Sequence, residues 1–124
     1  MNPFQLYNDI KVDIEIIQDQ IEANMNERKQ WLAGGKLFNT VPLDNAFLRV
    51  DKLSEKIEAL EEHLAIKKNM KFNLEVKLKQ YQGLNYQVAY MKHIEGKKLI
   101  TIANELGYSY DYIRQVSSRS KELV

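Results

Sequence analysis

Arg114 and Gln115 stand side by side in a segment, Leu99 to Arg119, whose spacing gives the pair a chemistry that neither residue carries by itself. A guanidinium presents a planar fork of donors that fits the O6 and N7 acceptors of guanine, and a carboxamide pairs in the same two-pronged way with adenine. Around them, apolar residues recur at Leu99, Ile102, Ala103 and Leu106, then at Ile113 and Val116, with Gly107 and Ser109 between the two runs. The first run places apolar groups at i, i+3, i+4 and i+7 of a short helix. Gly107 accepts a left-handed backbone without steric cost and ends that helix. Ser109 is suited to cap the next one, whose first turn holds Asp111 where the helix dipole favours an anion.

With Ile113 and Val116 inward, continued by Ser120 and Leu123, a second helix over residues 110–123 turns Tyr110, Asp111, Arg114, Gln115, Ser118 and Arg119 outward. This is the spacing of a helix-turn-helix, in which the second helix lies in the major groove with its N-terminal residues at the base edges. Tyr110, Asp111, Arg114 and Gln115 are therefore the candidate base-reading residues. Lys97, Lys98, Ser109, Ser118, Arg119 and Lys121 are the candidate phosphate contacts, which fix register on double-stranded DNA without reading sequence. Tyr108 and Tyr112 are expected to pack at the turn rather than to stack on bases.

Charge follows the same division. The formal net charge of +1 conceals 7 Lys+Arg against 12 Asp+Glu in residues 1–66, and 11 against 5 in residues 67–124. A localised positive region is what a phosphate backbone rewards, through release of condensed counterions, although an excess of this size is also common on solvated helices.

The elements that must position these residues are long helices. Phe4, Tyr7, Ile10, Ile14, Ile17 and Ile21 recur at spacings of three and four, with Asn2 as a candidate N-cap and Pro3 where a first turn tolerates it. The pattern predicts a helix from about residue 3 to about residue 32, ended at Gly34-Gly35. Residues 36–44 read as a loop, since Pro42 pushes Val41 out of helical space and Asp44 is a candidate N-cap.

A second long helix follows, with a seam at Phe47, Val50, Leu53, Ile57, Leu60 and Leu64. The next two core positions of that seam are Lys67 and Lys71, whereas Ile66, Met70, Leu74 and Leu78 take up a spacing of four, which predicts a phase slip before an end near Gln82-Gly83. A shorter helix from Leu84, with Val88 and Met91 inward and Gly96 at its C-cap, leads into the first segment. The expected fold is thus all-α: a long antiparallel, coiled-coil-like helical hairpin (residues 1–83) followed by a three-helix module (residues 84–124). Two helices make a thin core, so a homodimer is expected to complete it, the competing arrangement being a hairpin that folds back onto the C-terminal module.

The run Leu99, Ile102-Ala103, Leu106-Gly107-Tyr108-Ser109 and Tyr112-Ile113-Arg114-Gln115-Val116 resembles the fourth region of sigma-70-type factors, which reads the −35 promoter element. It also resembles the small phage-encoded regulators of Gram-positive bacteria known as ArpU-like late-gene activators. The resemblance covers about residues 84–124. It implies that Tyr110, Asp111, Arg114 and Gln115 face the promoter, that RNA polymerase is a possible partner, and that the protein works in the cytoplasm of a bacterial host. Departures are Lys98, Ile100 and Thr101, where the family often has a hydroxyl cap and acidic residues, and Tyr110 in place of a basic residue. Nothing upstream resembles the polymerase-binding part of a sigma factor.

Other chemistries find little purchase. The chain has no Cys, its two histidines, His63 and His93, lie thirty residues apart, and no metal-ligand spacing occurs. The carboxylates Glu55, Glu58, Glu61 and Glu62 read as a solvated face beside the seam. No enzyme activity, cofactor, metal, membrane span, signal peptide or small-molecule substrate is expected. The competing readings are an antirepressor or adaptor working through the hairpin, with Ile100, Tyr86 and Tyr90 available for contact, and a small DNA-packaging subunit, which would assemble into larger rings.

Overall fold

The computed structural model describes residues 3–119. Among them are five helices and no strand: α1 (Pro3–Trp31), α2 (Leu43–Lys79), α3 (Leu84–His93), α4 (Leu99–Leu106) and α5 (Tyr110–Arg119). Asn2, Ser120, Lys121 and Leu123 lie outside the described residues. None of these helices is long and apolar enough to cross a membrane. The chain divides into two compact units, residues 12–69 and residues 3–11 with 70–119, so the division falls inside the two long helices rather than at Gly83.

In the unit of residues 12–69, α1 and α2 run antiparallel, as their side-chain pairs record. Asp13 meets Lys67 at 3.1 Å, Arg28 donates to Ser54 Oγ at 3.1 Å, and the Arg49 guanidinium lies 5.9 Å from the Trp31 ring centroid. Ile14, Ile17, Ala46 and Ile57 are buried, and Ile21, Val50, Leu53, Leu60 and Leu64 are half-buried. α1 gives way to the loop through Gly35, where a Cβ would run into the carbonyl oxygens of Lys29 and Gln30. The Gln30 carbonyl instead accepts the Leu37 N–H at 2.8 Å, which satisfies one of the open acceptors at the helix end.

Four details of α2 correct the sequence reading. The helix starts at Leu43, and the Pro42 carbonyl accepts the N–H groups of Asn45 and Ala46, so Asp44 is a first-turn residue rather than the cap. Ala46 is fully buried while Phe47 is 53% exposed, which moves the first seam position by one residue. No phase slip occurs: the half-buried positions continue at alternating spacings of three and four through Lys67 and Lys71 to Leu74 and Leu78, and Ile66 and Met70 point to solvent. A lysine can occupy such a seam by burying its aliphatic stem and pairing its ammonium at the edge, here with Asp13 for Lys67 and with Glu75 for Lys71. Finally, α2 ends at Lys79 in a tightened turn, Gln80 and Tyr81 bonding back to Lys77 and Leu78.

The unit of residues 3–11 and 70–119 has two apolar clusters, one on each side of α3. Phe4, Tyr7, Leu78 and Ala89 form the first, with Leu74, Tyr86, Tyr90 and Ile94 against it. Val88, Met91, Ile102, Ala103, Ile113 and Val116 form the second, with Leu84, Leu99 and Leu106 against it. The helix ends at His93 with Ile94 as its C-cap; Gly96, expected there, lies two residues further on. Tyr7 is polar yet only 3% exposed; its hydroxyl donates to Glu75 Oε1 at 2.8 Å, which answers the requirement that a buried donor be paired.

Candidate nucleic-acid interface

α4 and α5 are joined by a three-residue turn, Gly107, Tyr108 and Ser109. Gly107 takes φ 78° and ψ 26°, and its N–H and that of Tyr108 both return to the Ala103 carbonyl, at 2.9 and 3.0 Å. Any side chain at residue 107 would have to hold the left-handed conformation that glycine adopts freely. Ser109 Oγ then accepts the Tyr112 N–H at 3.2 Å, the capping bond expected of a serine before a helix. The Ser109 hydroxyl is thereby committed as an acceptor, and only its own proton remains to meet a phosphate.

α5 is strongly two-sided. Ile113 is 0% and Val116 3% exposed, packed on Ile102 and Ala103 of α4 and Val88 and Met91 of α3. Tyr110, Asp111, Arg114, Gln115, Ser118 and Arg119 are all exposed. Asp111 and Arg114 approach to 3.5 Å across one turn, and Arg119 donates to Gln115 Oε1 at 3.4 Å. Both contacts are long and exposed to solvent, so they hold little energy and release their groups readily.

The basic candidates beside this face differ in freedom. Lys97 is bound to Glu105 at 2.7 Å and to Glu95 at 3.0 Å, and those bonds, Glu105 first, raise its pKa. Its work is to hold the turn between α3 and α4, and it is less available to a phosphate than the sequence suggested. Lys98 occupies the N-cap position of α4 through its backbone, its side chain making no cap bond and, among the described residues, no ion pair. Within residues 3–11 and 70–119, Lys+Arg number 9 against 5 Asp+Glu, while residues 12–69 hold 8 against 11.

Several groups escaped the sequence reading. Lys92 on α3 donates to Ser117 Oγ of α5 at 3.4 Å and so adds a cation beside the outward face of α5. Tyr108 and Tyr112, expected as packing residues, are 47% and 41% exposed and lean on each other at 5.4 Å. Their i, i+4 spacing across a cap was the available signal. A shallow cavity beside α3 is lined by Leu78, Tyr81, Tyr86, Tyr90, Met91 and Leu106 among others, with Tyr81 and Tyr86 in an edge-on contact at 4.9 Å. Tyr86 and Tyr90 are half-buried there, whereas Ile100 is 56% exposed.

His93 packs against Phe4 at 6.0 Å, and burial, then Lys92, lowers its pKa. Among the described residues no group of three or more His, Cys, Asp or Glu is placed to hold a metal ion. Comparison with protein-family models, curated proteins and solved structures returns no match.

Proposed function

We propose that the chain is a sequence-specific DNA-binding transcriptional regulator of phage or mobile-element origin, reading the major groove of double-stranded DNA with α5. The observation that carries this reading is the partition of α5. Its apolar residues are wholly committed to α3 and α4, and its exposed face is made of the side chains that hydrogen-bond to base edges and phosphates. In this reading α4, the Gly107 turn and α5 are a helix-turn-helix, with Arg114 and Gln115 reading bases, Tyr110 and Asp111 reaching a base or phosphate one turn earlier, and Lys98, Ser118 and Arg119 on the backbone. The positive excess of the same unit supports it.

The protein acts as a homodimer, so that two recognition helices meet two half-sites in successive major grooves. A role in activation through contact with RNA polymerase, and a place in the bacterial cytoplasm, rest on the sigma-like resemblance. Selection of bound duplexes from a random pool tests the reading: enrichment of a common site supports it, and recovery of unenriched sequence ends it. Binding should also weaken with salt, each neutralised phosphate adding about −0.9 to the log–log slope.

A second reading, a protein–protein interaction module working through the hairpin, is favoured by the apolar side chains that α1 and α2 leave exposed, such as Val12, Ile16, Phe47 and Ile66. Arg114→Ala with Gln115→Ala separates the two, abolishing function in the first and sparing it in the second.

A further inference from the structure

We propose that the loop end of the α1–α2 hairpin, at Trp31, Arg49 and Lys52, is a docking site for an acidic segment of a partner protein that also carries an apolar side chain. The site lies wholly within residues 12–69, so it stands apart from whatever α5 does.

A groove of about 240 Å³ is lined there by Trp31, Val41, Asn45, Leu48, Arg49 and Lys52. It is smaller than the roughly 300–1,000 Å³ of pockets that enclose a drug-sized ligand, and it suits an inserted side chain rather than a cofactor. Trp31 and Val41 are half-buried and Leu48 is 57% exposed, so the groove offers apolar surface to a visitor.

Beside that surface stands a row of cations. Asn45, Arg49, Lys52 and Lys56 recur at spacings of four, three and four, which sets them on one stripe of α2. The Arg49 guanidinium lies 5.9 Å from the Trp31 ring centroid, and the indole is tied in turn through Nε1, which donates to Glu27 Oε2 at 3.3 Å. A guanidinium held over an indole keeps its N–H fork for a carboxylate, which it grips in two-pronged fashion. Among the described residues Arg49, Lys52 and Lys56 enter no ion pair. The neighbouring carboxylates Asp44, Asp51 and Glu55 sit roughly 90–130° further round α2, and none of them lines the groove.

The charge of the hairpin divides in the same place. Residues 28–52 hold 5 Lys+Arg against 2 Asp+Glu, whereas the rest of residues 12–69 hold 3 against 9. A cationic end on an acidic shaft selects an anion of limited extent. Duplex DNA is a continuous polyanion that those carboxylates repel, and its phosphates bring no apolar group to fill a groove beside Trp31. An acidic peptide segment supplies both parts: a carboxylate for Arg49 and Lys52, and an aliphatic or aromatic side chain against Trp31, Val41 and Leu48.

Trp31 is the only tryptophan of the chain and so reports on the site directly. The full-length protein is titrated with a pool of short blocked peptides rich in Asp and Glu with interspersed Leu and Phe, followed by Trp31 emission and by calorimetry. Wild type should bind saturably, and less tightly as salt rises. Peptides with Asn and Gln in place of the acids, or with Ser in place of Leu and Phe, should bind about tenfold more weakly or worse. Arg49→Glu with Lys52→Glu should lose binding by a similar factor at unchanged helical circular dichroism, and Lys68→Glu, an exposed charge reversal elsewhere on α2, should keep it. If the double reversal loses helicity, Arg49→Gln with Lys52→Gln decides by the same readout. A wild type that leaves Trp31 emission unchanged overturns the proposal, as does equal affinity for the amide peptides or equal loss at Lys68→Glu. A random duplex that produces the same Trp31 response assigns the groove to phosphates and overturns it too.

Discussion

Replacing Tyr7 with Phe removes one hydroxyl from a side chain that is 3% exposed and keeps the ring that fills the cluster around Phe4 and Leu78. The lost bond runs to Glu75 Oε1 at 2.8 Å, and a hydrogen bond to a charged group contributes about 1.5–3 kcal/mol. Glu75 is 30% exposed and keeps Lys71 at 3.8 Å, so water and the ammonium recover part of the loss. The expected cost at pH 7 is therefore near the low end, about 1.5 kcal/mol, or a Tm lower by roughly 5–8 °C.

The pH dependence has a definite sign. Burial first, then the bond to Glu75, raises the Tyr7 pKa above its ordinary value of 10.0. The folded protein holds a proton that the unfolded chain releases, so the Tyr7 contribution is complete below pH 10 and is lost as pH rises beyond it. The loss is about 1.4 kcal/mol per pH unit while only the unfolded phenol ionises. Groups common to both proteins cancel, so the gap between wild type and Tyr7→Phe should close roughly one unit above pH 10. Urea unfolding of the pair at pH 7, 10 and 11 measures it. A gap missing at pH 7, or one unchanged through pH 11, refutes the pairing.

Other substitutions probe the elements that hold α5. Ile113→Ala, at a site 0% exposed, should cost about 2–5 kcal/mol by calorimetry, because its neighbours on α3 and α4 close only partly over the lost methylenes. Ser109→Ala should cost about 1 kcal/mol through the lost bond to the Tyr112 N–H, and Ser109→Asp, which caps equally well, should restore most of it in the same assay. Gly35→Ala forces the loop away from the carbonyls of Lys29 and Gln30 and should cost about 1–3 kcal/mol in denaturant midpoint at unchanged m-value.

What the sequence disclosed, and what it withheld, differs by range of interaction. The outward and inward faces of α5 follow from a spacing of three within one helix, and Ile113 and Val116 turn inward as that spacing predicts. The turn was equally legible, because Gly107 and Ser109 act on atoms four residues away or fewer. The seam of α2 was misread because its two lysines count as polar by type, while the acid that pairs Lys67 stands 54 residues earlier, at Asp13. Tyr7 was legible as an apolar stripe member, yet its acceptor, Glu75, was not, for the same reason. α3 was read as one-faced; Ala89, Tyr86 and Tyr90 serve a second cluster whose other half comes from α1 and α2, and no local pattern announces that.

The central claim is that the outward face of α5 reads DNA sequence, and competition binding to a pool-selected duplex and to a random duplex at one salt concentration tests it most directly. Arg114 is 63% exposed, with Asp111 its partner at 3.5 Å, so Arg114→Ala with Gln115→Ala leaves folding intact. Each base contact supplies about 1–3 kcal/mol of discrimination, so the double variant should lose preference for the selected duplex by at least about 30-fold. Binding to random duplex, which relies on phosphate contacts, should change far less. A wild-type protein with equal affinity for both duplexes, or a double variant with undiminished preference, contradicts the account.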